Sequence, residues 1–443
     1  MSIKFQAIGG YNEVGKNMSA IHMNDESILF DTGLHLPPIL ELGEQRKDIY
    51  NEKELRHIGA LPEDGVLGDL KRKVKAICIS HAHLDHVGAA PYIAEHYNAD
   101  IFGSPYTCEF LKSILKDSKK TIKNQIRTVN LNSSATASRK SQEVEFVNIT
   151  HSIPQASLIV LHTNKGAIVY ANDFKFDNSP IIGKRPNYER FKQLNKEGVL
   201  ALIVDSIYAG YEGKTPSEKI ARGLLEDVLL TTDNENAGIV VTTFSSHIAR
   251  LKSIVDCGKL LNRKILFVGR SLHRYVSVAD KLGLAPFMQD INLVTYRNQL
   301  ERKLKKANQD KKNWLIVCTG HQGEPGSILE RMSRGIMPYK LATNDQVIFS
   351  SKIIPTPATI KNRQELEKRL RDKKVRIFSN IHVSGHCERE DLRDLINMLN
   401  PQQIIPAHAE LEKRQALAEL AKEVGYEHKD VHLVKNGQTV HLI

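Results

Sequence analysis

The chain has 443 residues, of which 41% are hydrophobic and 26% are charged, and this composition excludes a disordered chain and a fibrous one. Its length exceeds what one hydrophobic core usually holds, so we expect two or more cores. No apolar stretch approaches the ~20 residues that span a bilayer, and the N-terminus lacks the apolar core of a signal peptide. The net charge of +11 fits a phosphate-rich partner, although many basic proteins bind no nucleic acid.

The five cysteines are scattered along the chain and form no Cys-x-x-Cys motif. An odd number of isolated thiols indicates a reducing, cytoplasmic environment rather than a disulfide framework. Any metal site is therefore expected to use histidine and carboxylate ligands.

The first predicted elements are short strands separated by turns. A glycine-rich turn over residues 8–18 lies between two strands, and it lacks the Gly-Lys-Ser/Thr ending of a Walker loop. The strand over residues 27–30 ends at Asp31, which either supports a metal site from behind or bonds backbone amides in a turn. Residues 38–70 are polar and without clear periodicity, so we expect a region rich in loops.

The segment His81-Ala-His83-Leu-Asp85-His86 is the strongest chemical signal in the chain. It follows an apolar run typical of a buried strand and precedes a stretch that begins like a helix. Imidazole nitrogens and carboxylate oxygens are ligands that suit zinc, and on such a turn the first two histidines can face one metal while Asp85 and His86 face a second. A polar loop with hydrogen-bonded histidines is the alternative, and it poorly explains four ligand-type residues in six positions.

Later strands repeat one design, an apolar run that ends near a histidine or an aspartate. Such runs lead to His151, to Asp173 and to Asp205. This pattern places polar groups along one edge of a sheet, where sites form in layered α/β proteins.

The pattern changes after Asp205. A capping box over residues 215–218, with proline at the first helical position, predicts the start of a helix. Strand-like runs then alternate with helical stretches, which argues for a parallel sheet. These runs cover residues 238–244, 264–269, 314–320 and 346–351.

The last part of the chain returns to the earlier design, because strand ends near His386 and His408 again carry histidines. We therefore predict a second α/β domain over residues 207–372. It is inserted into a first domain that consists of residues 1–206 and 373–443.

These residues together resemble the motifs of the metallo-β-lactamase fold, and the inserted domain with Asp205, His386 and His408 resembles the β-CASP group, whose members cut nucleic acids. Within that group the chain resembles the ribonuclease J family in several stretches. They cover residues 151–154, 173–177, 269–271, 319–325 and 382–386. The implied fold class is α/β, a metallo-β-lactamase αββα sandwich with an inserted α/β β-CASP domain.

The chain stops shortly after His408. The resemblance therefore leads us to expect that the extra C-terminal domain of the longer bacterial enzymes is absent, as in the short archaeal form. Asn172 and His321 stand where the bacterial pattern usually has small residues.

The resemblance implies two zinc ions per chain, with manganese as the alternative metal. The ligands of the first ion would be His81, His83 and His151. The ligands of the second would be Asp85, His86 and His408, and Asp173 would bridge both. Each ion then keeps a position open for a shared water, as a catalytic site requires.

The resemblance also makes His386 the group that protonates the leaving 3′ oxygen and Asp205 the acid that orients it. A phosphate-contacting or structural histidine is the alternative for His386, and a carboxylate bonding backbone amides is the alternative for Asp205. Further residues of the cleft would bind RNA or a 5′-monophosphate, and for each a structural role is equally open. They are Ser246, His247, Arg270, His382, Ser384 and Gly385.

The leading hypothesis is a zinc-dependent ribonuclease that hydrolyses phosphodiester bonds of single-stranded RNA. We expect a 5′→3′ exonuclease that favours 5′-monophosphate ends and has some endonuclease activity. The alternatives are a β-CASP endoribonuclease of the cleavage/polyadenylation type, a small-molecule metallo-hydrolase and a non-catalytic RNA-binding scaffold. The basic inserted domain argues against a small substrate, and the full ligand set argues against a scaffold. We also expect a cytoplasmic homodimer that binds no membrane.

Overall fold

The computed structural model describes residues 2–41, 51–137 and 141–443. Its strands, in chain order, are β1 (Ile3–Gly9), β2 (Met18–Met23), β3 (Glu26–Phe30), β4 (Val74–Ile79), β5 (Asp100–Gly103), β6 (Ile126–Thr128), β7 (Ser133–Thr136), β8 (Glu143–Asn148), β9 (Ser157–Leu161), β10 (Ala167–Ala171), β11 (Val199–Asp205), β12 (Ile239–Thr242), β13 (Lys264–Val268), β14 (Ile291–Val294), β15 (Trp314–Cys318), β16 (Gln346–Phe349), β17 (Arg376–Phe378), β18 (Gln403–Ala407) and β19 (Thr439–His441).

The α-helices, in chain order, are α1 (Leu36–Glu41), α2 (Glu52–His57), α3 (Leu84–Val87), α4 (Ala90–Ile93), α5 (Pro105–Asp117), α6 (Tyr188–Glu197), α7 (Glu218–Thr231), α8 (Ile248–Leu260), α9 (Arg270–Lys281), α10 (Arg297–Gln309), α11 (Ile328–Ser333), α12 (Pro357–Asp372), α13 (Arg389–Leu399) and α14 (Leu411–Glu423). Stretches of 3-10 helix cover Asp64–Lys73, Ala94–His96, Met288–Asp290, Lys311–Asn313 and His428–Asp430.

Two sheets pack face to face in the first domain. One has the strand order β19-β1-β2-β3-β4-β5-β6, and the other has the order β18-β11-β10-β9-β8-β7. Side chains alternate between two faces, as the geometry of a strand requires. In β11, Ala201 and Ile203 belong to the core between the sheets, while Leu202 and Val204 belong to the core under the helices. Helices such as α5 and α14 cover the outer faces, so the domain is an αββα sandwich.

The inserted domain is built on a third sheet with the order β14-β13-β15-β12-β16-β17, in which every neighbouring pair is parallel. Helices cover both of its faces, as parallel sheets require. Apolar residues of α7, α8 and α9 pack in one core, and those of α10, α11 and α12 pack in another. Helix α10 carries many lysines and arginines, and it packs on the sheet through its apolar residues Leu300, Leu304 and Ala307.

The predicted fold class is confirmed, and β12, β13, β15 and β16 lie at the four predicted strand-like runs. Two further strands complete the sheet. The edge strand β14 has four residues, and the first three are only partly buried. This explains why the apolar pattern did not reveal the strand. Strand β17 pairs with β16, with Ile377 opposite Val347. Strand pairing therefore carries the inserted sheet beyond the predicted boundary at residue 372.

The predicted capping box at residues 215–218 is wrong. Helix α7 is capped by Ser217, whose side chain accepts a hydrogen bond from the amide of Lys219 at 3.2 Å. The Glu218 carboxylate binds Arg250 instead, and the Thr215 hydroxyl donates to the carbonyl of His386 at 2.7 Å. Tertiary partners have therefore displaced the local cap that the sequence suggested.

The region that was expected to be rich in loops, residues 38–70, contains α2 and the start of the Asp64–Lys73 3-10 helix. Residues 42–50 of this region lie outside the described residues. The buried Asp64 carboxylate holds the region in place, since it accepts hydrogen bonds from Arg56, Lys71 and Tyr97. In the described parts of the chain, no helix is both long and apolar enough to cross a membrane.

The polar residues singled out in the first domain follow strands of both sandwich sheets. Strands β3, β4 and β5 are parallel to one another, and so are β10, β11 and β18. The carboxyl ends of parallel strands meet at one edge of a sheet, which is where sites form in α/β proteins. Asp31 and His81 therefore lie at the end of one sheet, and Asp173, Asp205 and His408 lie at the end of the other.

A buried ion pair within the inserted domain contacts the sandwich through both of its members. Arg250 of α8 is fully buried, and its Nε and Nη2 lie 2.5 and 2.9 Å from the two carboxylate oxygens of Glu218. Its Nη1 donates to Ser350 Oγ at 2.8 Å and to the Ile381 carbonyl at 3.2 Å. Asp177 of the sandwich accepts the amide of Glu218 at 2.8 Å, at the N-terminus of α7.

Substitution Arg250→Met tests this fastening. It leaves the buried Glu218 carboxylate without its guanidinium partner, and removing one member of a buried pair costs about 3–5 kcal/mol. Burial would raise the pKa of Glu218, but His247 and Arg250 hold it well below its usual value, so the carboxylate stays charged at neutral pH. Denaturant unfolding should show a clearly lower midpoint for the variant.

The matched control is Arg222→Met. Arg222 lies on α7, one turn after Glu218, and it also pairs with carboxylates, Glu226 at 2.9 Å and Asp256 at 3.1 Å, but its side chain is 33% exposed. Such partly exposed pairs contribute roughly 0–1 kcal/mol. Equal losses of stability in the two variants would contradict the fastening role of Arg250.

Candidate metal centre and active site

Three imidazole nitrogens converge at the end of β4. His81 Nε2 and His151 Nε2 each lie 3.1 Å from His83 Nδ1. One oxygen of Asp173, Oδ2, lies 3.5 Å from His81 Nε2 and 3.5 Å from His151 Nε2. The four donor atoms thus surround one point, and we call these residues the first donor group.

A second donor group lies beside the first and shares Asp173 with it. His86 Nε2 lies 3.6 Å from Asp85 Oδ2 and 3.3 Å from Asp173 Oδ2. His408 Nε2 lies 3.8 Å from Asp85 Oδ2 and 3.2 Å from Asp173 Oδ1. All seven residues predicted as metal ligands are therefore brought together, although they are spread from position 81 to position 408 of the chain.

The spacing of the donors fits zinc. A tetrahedral zinc ion with bonds of ~2.0–2.2 Å has neighbouring donors roughly 3.3–3.6 Å apart, and in each group the ligand atoms lie within 4.8 Å of one another. Asp173 is 2% exposed, and among the described residues no group donates a hydrogen bond to its Oδ1. A buried carboxylate oxygen without a donor is costly unless a cation binds it.

Each of the five histidines in the two groups has its other ring nitrogen hydrogen-bonded. The bonds are His81 Nδ1 to Ser80 Oγ at 3.0 Å, His83 Nε2 to Ser246 Oγ at 3.1 Å, His86 Nδ1 to Asp31 Oδ2 at 2.7 Å, His151 Nδ1 to the Gly385 carbonyl at 2.7 Å and His408 Nδ1 to Asn17 Oδ1 at 2.6 Å. A carboxylate or carbonyl partner can only accept, so it fixes the proton on that nitrogen. In the neutral rings of His86, His151 and His408, the converging nitrogen is then the one that carries the lone pair, as metal ligation requires.

Charge is distributed unevenly over the two groups. Burial lowers the pKa of His81, His83 and His151 well below the usual value, so these side chains remain neutral donors. For His86, burial is outweighed by nearby carboxylates, above all Asp173, which raise its pKa well above the usual value. Negative charge therefore concentrates at the second group, where a divalent cation would neutralise it.

Three residues of the site have a left-handed backbone. Asp31, Asp173 and His408 have φ angles of 60°, 56° and 59°, in the left-handed region that L-residues seldom adopt. Strain of this kind persists only where the surrounding structure enforces it, and it clusters at functional sites. In this chain the left-handed backbone at three strand ends directs two carboxylates and an imidazole toward the site.

A histidine–carboxylate pair lies next to the donor groups. His386 Nδ1 is 2.8 Å from Asp205 Oδ2 and 3.9 Å from Asp173 Oδ1. Asp205 also accepts the amide of Ile207 through Oδ1 at 2.8 Å, so it is both an orienting acid and a turn-forming carboxylate. Burial would lower the pKa of His386, but Asp173 and Asp205 raise it to about 9. The pair therefore lies where the sequence predicted it, in contact with the bridging carboxylate.

The turn before His386 contacts the first donor group through its backbone. Gly385 presents its carbonyl to His151, and a Cβ at this position would lie 2.8 Å from Ser152 Oγ and 3.0 Å from His151 Cε1. Ser384 accepts the amide of His386 at 3.0 Å, which shapes the turn. His382 lies farther back, where burial and Arg250 lower its pKa to about 2.

The predicted phosphate-binding residues of the inserted domain lie in different surroundings. Ser246 reaches the metal centre, since its hydroxyl contacts His83. His247 is 2% exposed, caps α8 by accepting the amide of Arg250 and lies 3.3 Å from Glu218. Arg270 begins α9 and has an exposed side chain.

Sequence reasoning missed several groups that support the site. Asn17 accepts from His408, donates to the Asp85 carbonyl at 3.1 Å and lies 3.0 Å from His86 Nε2. Its only signal was a position in the glycine-rich turn after β1. Gly33 is a second case, since a Cβ there would lie 1.7 Å from the Asp85 carbonyl oxygen. Only glycine lets the two turns approach so closely.

Comparison with protein families divides the chain into three parts. Residues 28–186 match the beta-lactamase superfamily domain, and residues 236–365 match the ribonuclease J beta-CASP domain. Residues 372–434 match the Zn-dependent metallo-hydrolase RNA specificity domain.

Curated relatives match over nearly the full chain. Ribonuclease J of Methanocaldococcus jannaschii is 44% identical over 99% of this chain and 98% of the relative, and ribonuclease J of Pyrococcus abyssi is 43% identical over 99% and 97%. Ribonuclease J 2 of Streptococcus pyogenes is 30% identical over 98% of this chain and 75% of its own length. A solved structure of a protein of unknown function from Enterococcus faecalis shares the fold, with a TM-score of 0.67 at 17% identity and complete coverage of both chains.

The contact between Ser246 and His83 leads to a prediction about metal retention. Substitution Ser246→Ala removes the partner that holds the far nitrogen of His83, and loss of such a partner typically weakens metal binding 10- to 100-fold. We expect a chelator to remove one equivalent of zinc from this variant at lower concentration than from the unsubstituted protein. Ser245→Ala is the control, because Ser245 bonds the exposed Ser271 instead. Equal zinc retention in the two variants would show that Ser246 does not position His83.

Proposed function

The chain belongs to the ribonuclease J family and is a metal-dependent ribonuclease, and we propose that it degrades single-stranded RNA from the 5′ end, favouring a 5′-monophosphate. The observation that carries this proposal is the pair of donor groups sharing Asp173, next to a histidine–carboxylate pair. Two metal ions suit in-line displacement at phosphorus, because one can polarise the phosphate while the other stabilises an attacking or leaving oxygen.

We assign two zinc ions to the site. His81, His83 and His151 would hold one, with Asp173 as the bridge. Asp85, His86 and His408 would hold the other. When bound, the ions would supply Lewis-acid polarisation of the phosphodiester and lower the pKa of water in the site. Nitrogen-rich ligands favour zinc, whereas manganese prefers more oxygen ligands.

The protein's own groups would handle the leaving oxygen. Asp205 accepts the Nδ1 proton of His386 at 2.8 Å and so fixes the orientation of the ring. This leaves Nε2 of His386 to donate a proton to the departing 3′ oxygen, as a positioned general acid does. The small-residue turn formed by Ser384 and Gly385 would lie against the RNA backbone, with Arg270 as a further phosphate contact.

The surroundings of the site support a long, charged substrate rather than a small one. The metal centre uses residues of the sandwich, and the inserted domain contributes Ser246 to it, which supports a substrate path between the two domains. The net charge of +11 favours a polyanion. Five buried, unpaired thiols agree with a reducing cytoplasm. The homodimer expected from the family resemblance can be measured by light scattering on the purified protein.

The time course of products from a 5′-labelled, 5′-phosphorylated RNA tests the direction of degradation. Labelled mononucleotide should appear at the earliest times while the remaining label stays in full-length RNA. Early labelled fragments of intermediate length would instead assign an endonuclease. Turnover of a thioester without decay of RNA would overturn the proposal altogether.

Substitution of His81 or Asp173 by alanine tests the role of the metal ligands. Either change removes a donor from the first group, and Asp173→Ala removes a donor from both, so we expect RNA hydrolysis to be abolished. RNA affinity should change little, because the basic surface is left intact. Both quantities can be measured with one labelled RNA, by gel and by fluorescence anisotropy.

The matched control is His162→Ala. His162 also bonds a carboxylate, Glu145 at 3.0 Å, but it lies at the end of β9 that is away from the donor groups. Its loss should leave hydrolysis near the original rate. The metal role would be contradicted if His81→Ala lost RNA binding, or if His162→Ala lost as much hydrolysis as His81→Ala does.

A further inference from the structure

Two tyrosines lead outward from the candidate general acid. The ring of Tyr208 lies 6.1 Å from the ring of His386, and the ring of Tyr211 lies 5.1 Å from that of Tyr208, in an edge-to-face arrangement with an interplanar angle of 84°. Tyr211 is 58% exposed, whereas Tyr208, which lies between it and His386, is half-buried. The mechanism described above uses neither ring.

The backbone of Tyr211 is hydrogen-bonded on both sides, although its ring is exposed. Its amide donates to the Tyr208 carbonyl at 3.0 Å, and its own carbonyl accepts the amide of Arg389 at 3.0 Å. Tyr208 in turn forms a β-bridge with Glu388. An aromatic ring on a fixed backbone loses little conformational entropy when another ring stacks on it.

A positive charge lies against the inner tyrosine. Lys352 Nζ is 5.1 Å from the centre of the Tyr208 ring, within the range of a cation–π contact. Lys352 follows β16 of the inserted domain, whereas Tyr208 follows β11 of the sandwich. The tyrosines therefore lie where the two domains meet. Because Tyr208 is contacted by Lys352, His386 and Tyr211, the outer ring is the better placed of the two to receive a ligand.

We propose that Tyr211 is a stacking platform for a nucleobase of the RNA, at a nucleotide next to the scissile phosphate. This inference rests on the proposed function and adds a base-binding subsite to it. Tyr208 positions the platform, and the Lys352 ammonium faces the phosphate backbone that enters the cleft. Because every base has a π-face, the subsite tolerates any sequence. A flat ring supplies this tolerance, which hydrogen bonds to base edges cannot provide.

The test measures RNA affinity in the Asp173→Asn background, in which we expect no cleavage, so that binding is read independently of turnover. The probe is a 5′-phosphorylated single-stranded RNA, used intact and with one abasic nucleotide placed at each position in turn near the 5′ end. The variants are Tyr211→Ala, Tyr211→Phe and the control Tyr296→Ala. Tyr296 is 75% exposed and follows the edge strand β14, which three strands separate from β16 and Lys352.

Loss of a stacked base typically weakens binding roughly 5- to 100-fold. We expect Tyr211→Ala to bind intact RNA weaker by a factor in this range, while Tyr211→Phe and Tyr296→Ala bind as before. At one position the abasic nucleotide should weaken binding to the unsubstituted platform by a similar factor. On that RNA, Tyr211→Ala should cause little further loss, because the ring and the base act as one pair.

The inference is overturned if Tyr211→Ala binds like Tyr296→Ala, or if its defect is equally large on every abasic RNA. The abasic RNAs are also measured on the protein that retains Tyr211, so the test gives an answer even if Tyr211→Ala folds poorly. If base removal changes the affinity at no position, stacking is excluded. Turnover of RNA by the unsubstituted protein decides the proposed function separately. Active protein with a flat abasic response would refute only the platform.

Discussion

The shared carboxylate of Asp173 is the constraint on which the rest of the site depends. It is nearly inaccessible to solvent, lies on a backbone with a left-handed φ of 56°, and faces histidines from both donor groups. Burial would raise its pKa, but the imidazoles of His408 and His86 hold it well below the usual value. A buried, charged oxygen without a hydrogen-bond donor is unfavourable in an apoprotein. Cations on both of its sides would remove this cost.

The two domains are joined at the metal centre as well as by the buried ion pair. Ser246, from the inserted domain, bonds the far nitrogen of His83, and Gly385, from the returning chain, bonds that of His151. Partners of this kind set which nitrogen of a ligand carries its proton. The geometry of the first donor group therefore depends on how the inserted domain is seated. Arg250 and Glu218 pair within the inserted domain, and they hold it against the sandwich through the Ile381 carbonyl and the Asp177 carboxylate.

Local patterns in the sequence predicted the parts of the structure that have local causes. Apolar runs located the central strands, and the dense cluster from His81 to His86 identified the ligands on the first turn. The family resemblance identified the distant residues that complete the site. Spacing along the chain alone does not show that His151, Asp173 and His408 come together. Strand β14 buries one of its four residues, which leaves no readable pattern, and the run at β17 was assigned to the first domain because only its pairing with β16 places it in the inserted sheet.

Other features were hidden because they depend on tertiary partners. Glu218 matched a capping pattern, yet its carboxylate pairs with Arg250 of another helix, and the Thr215 amide donates to Asp391 instead. Asn17 gave no chemical signal, and it supports the second donor group only because Gly33 allows two turns to approach. Tyr211 resembled an ordinary loop residue until its neighbours placed it near His386.

Zinc titration of the chelator-treated protein is the measurement that tests the central claim most directly. With Asp173 shared by two complete donor groups, the protein should bind two equivalents of zinc per chain, and Asp173→Ala should bind neither of them tightly. Binding of a single equivalent that Asp173→Ala leaves unchanged, or no binding by the folded protein, would contradict the account.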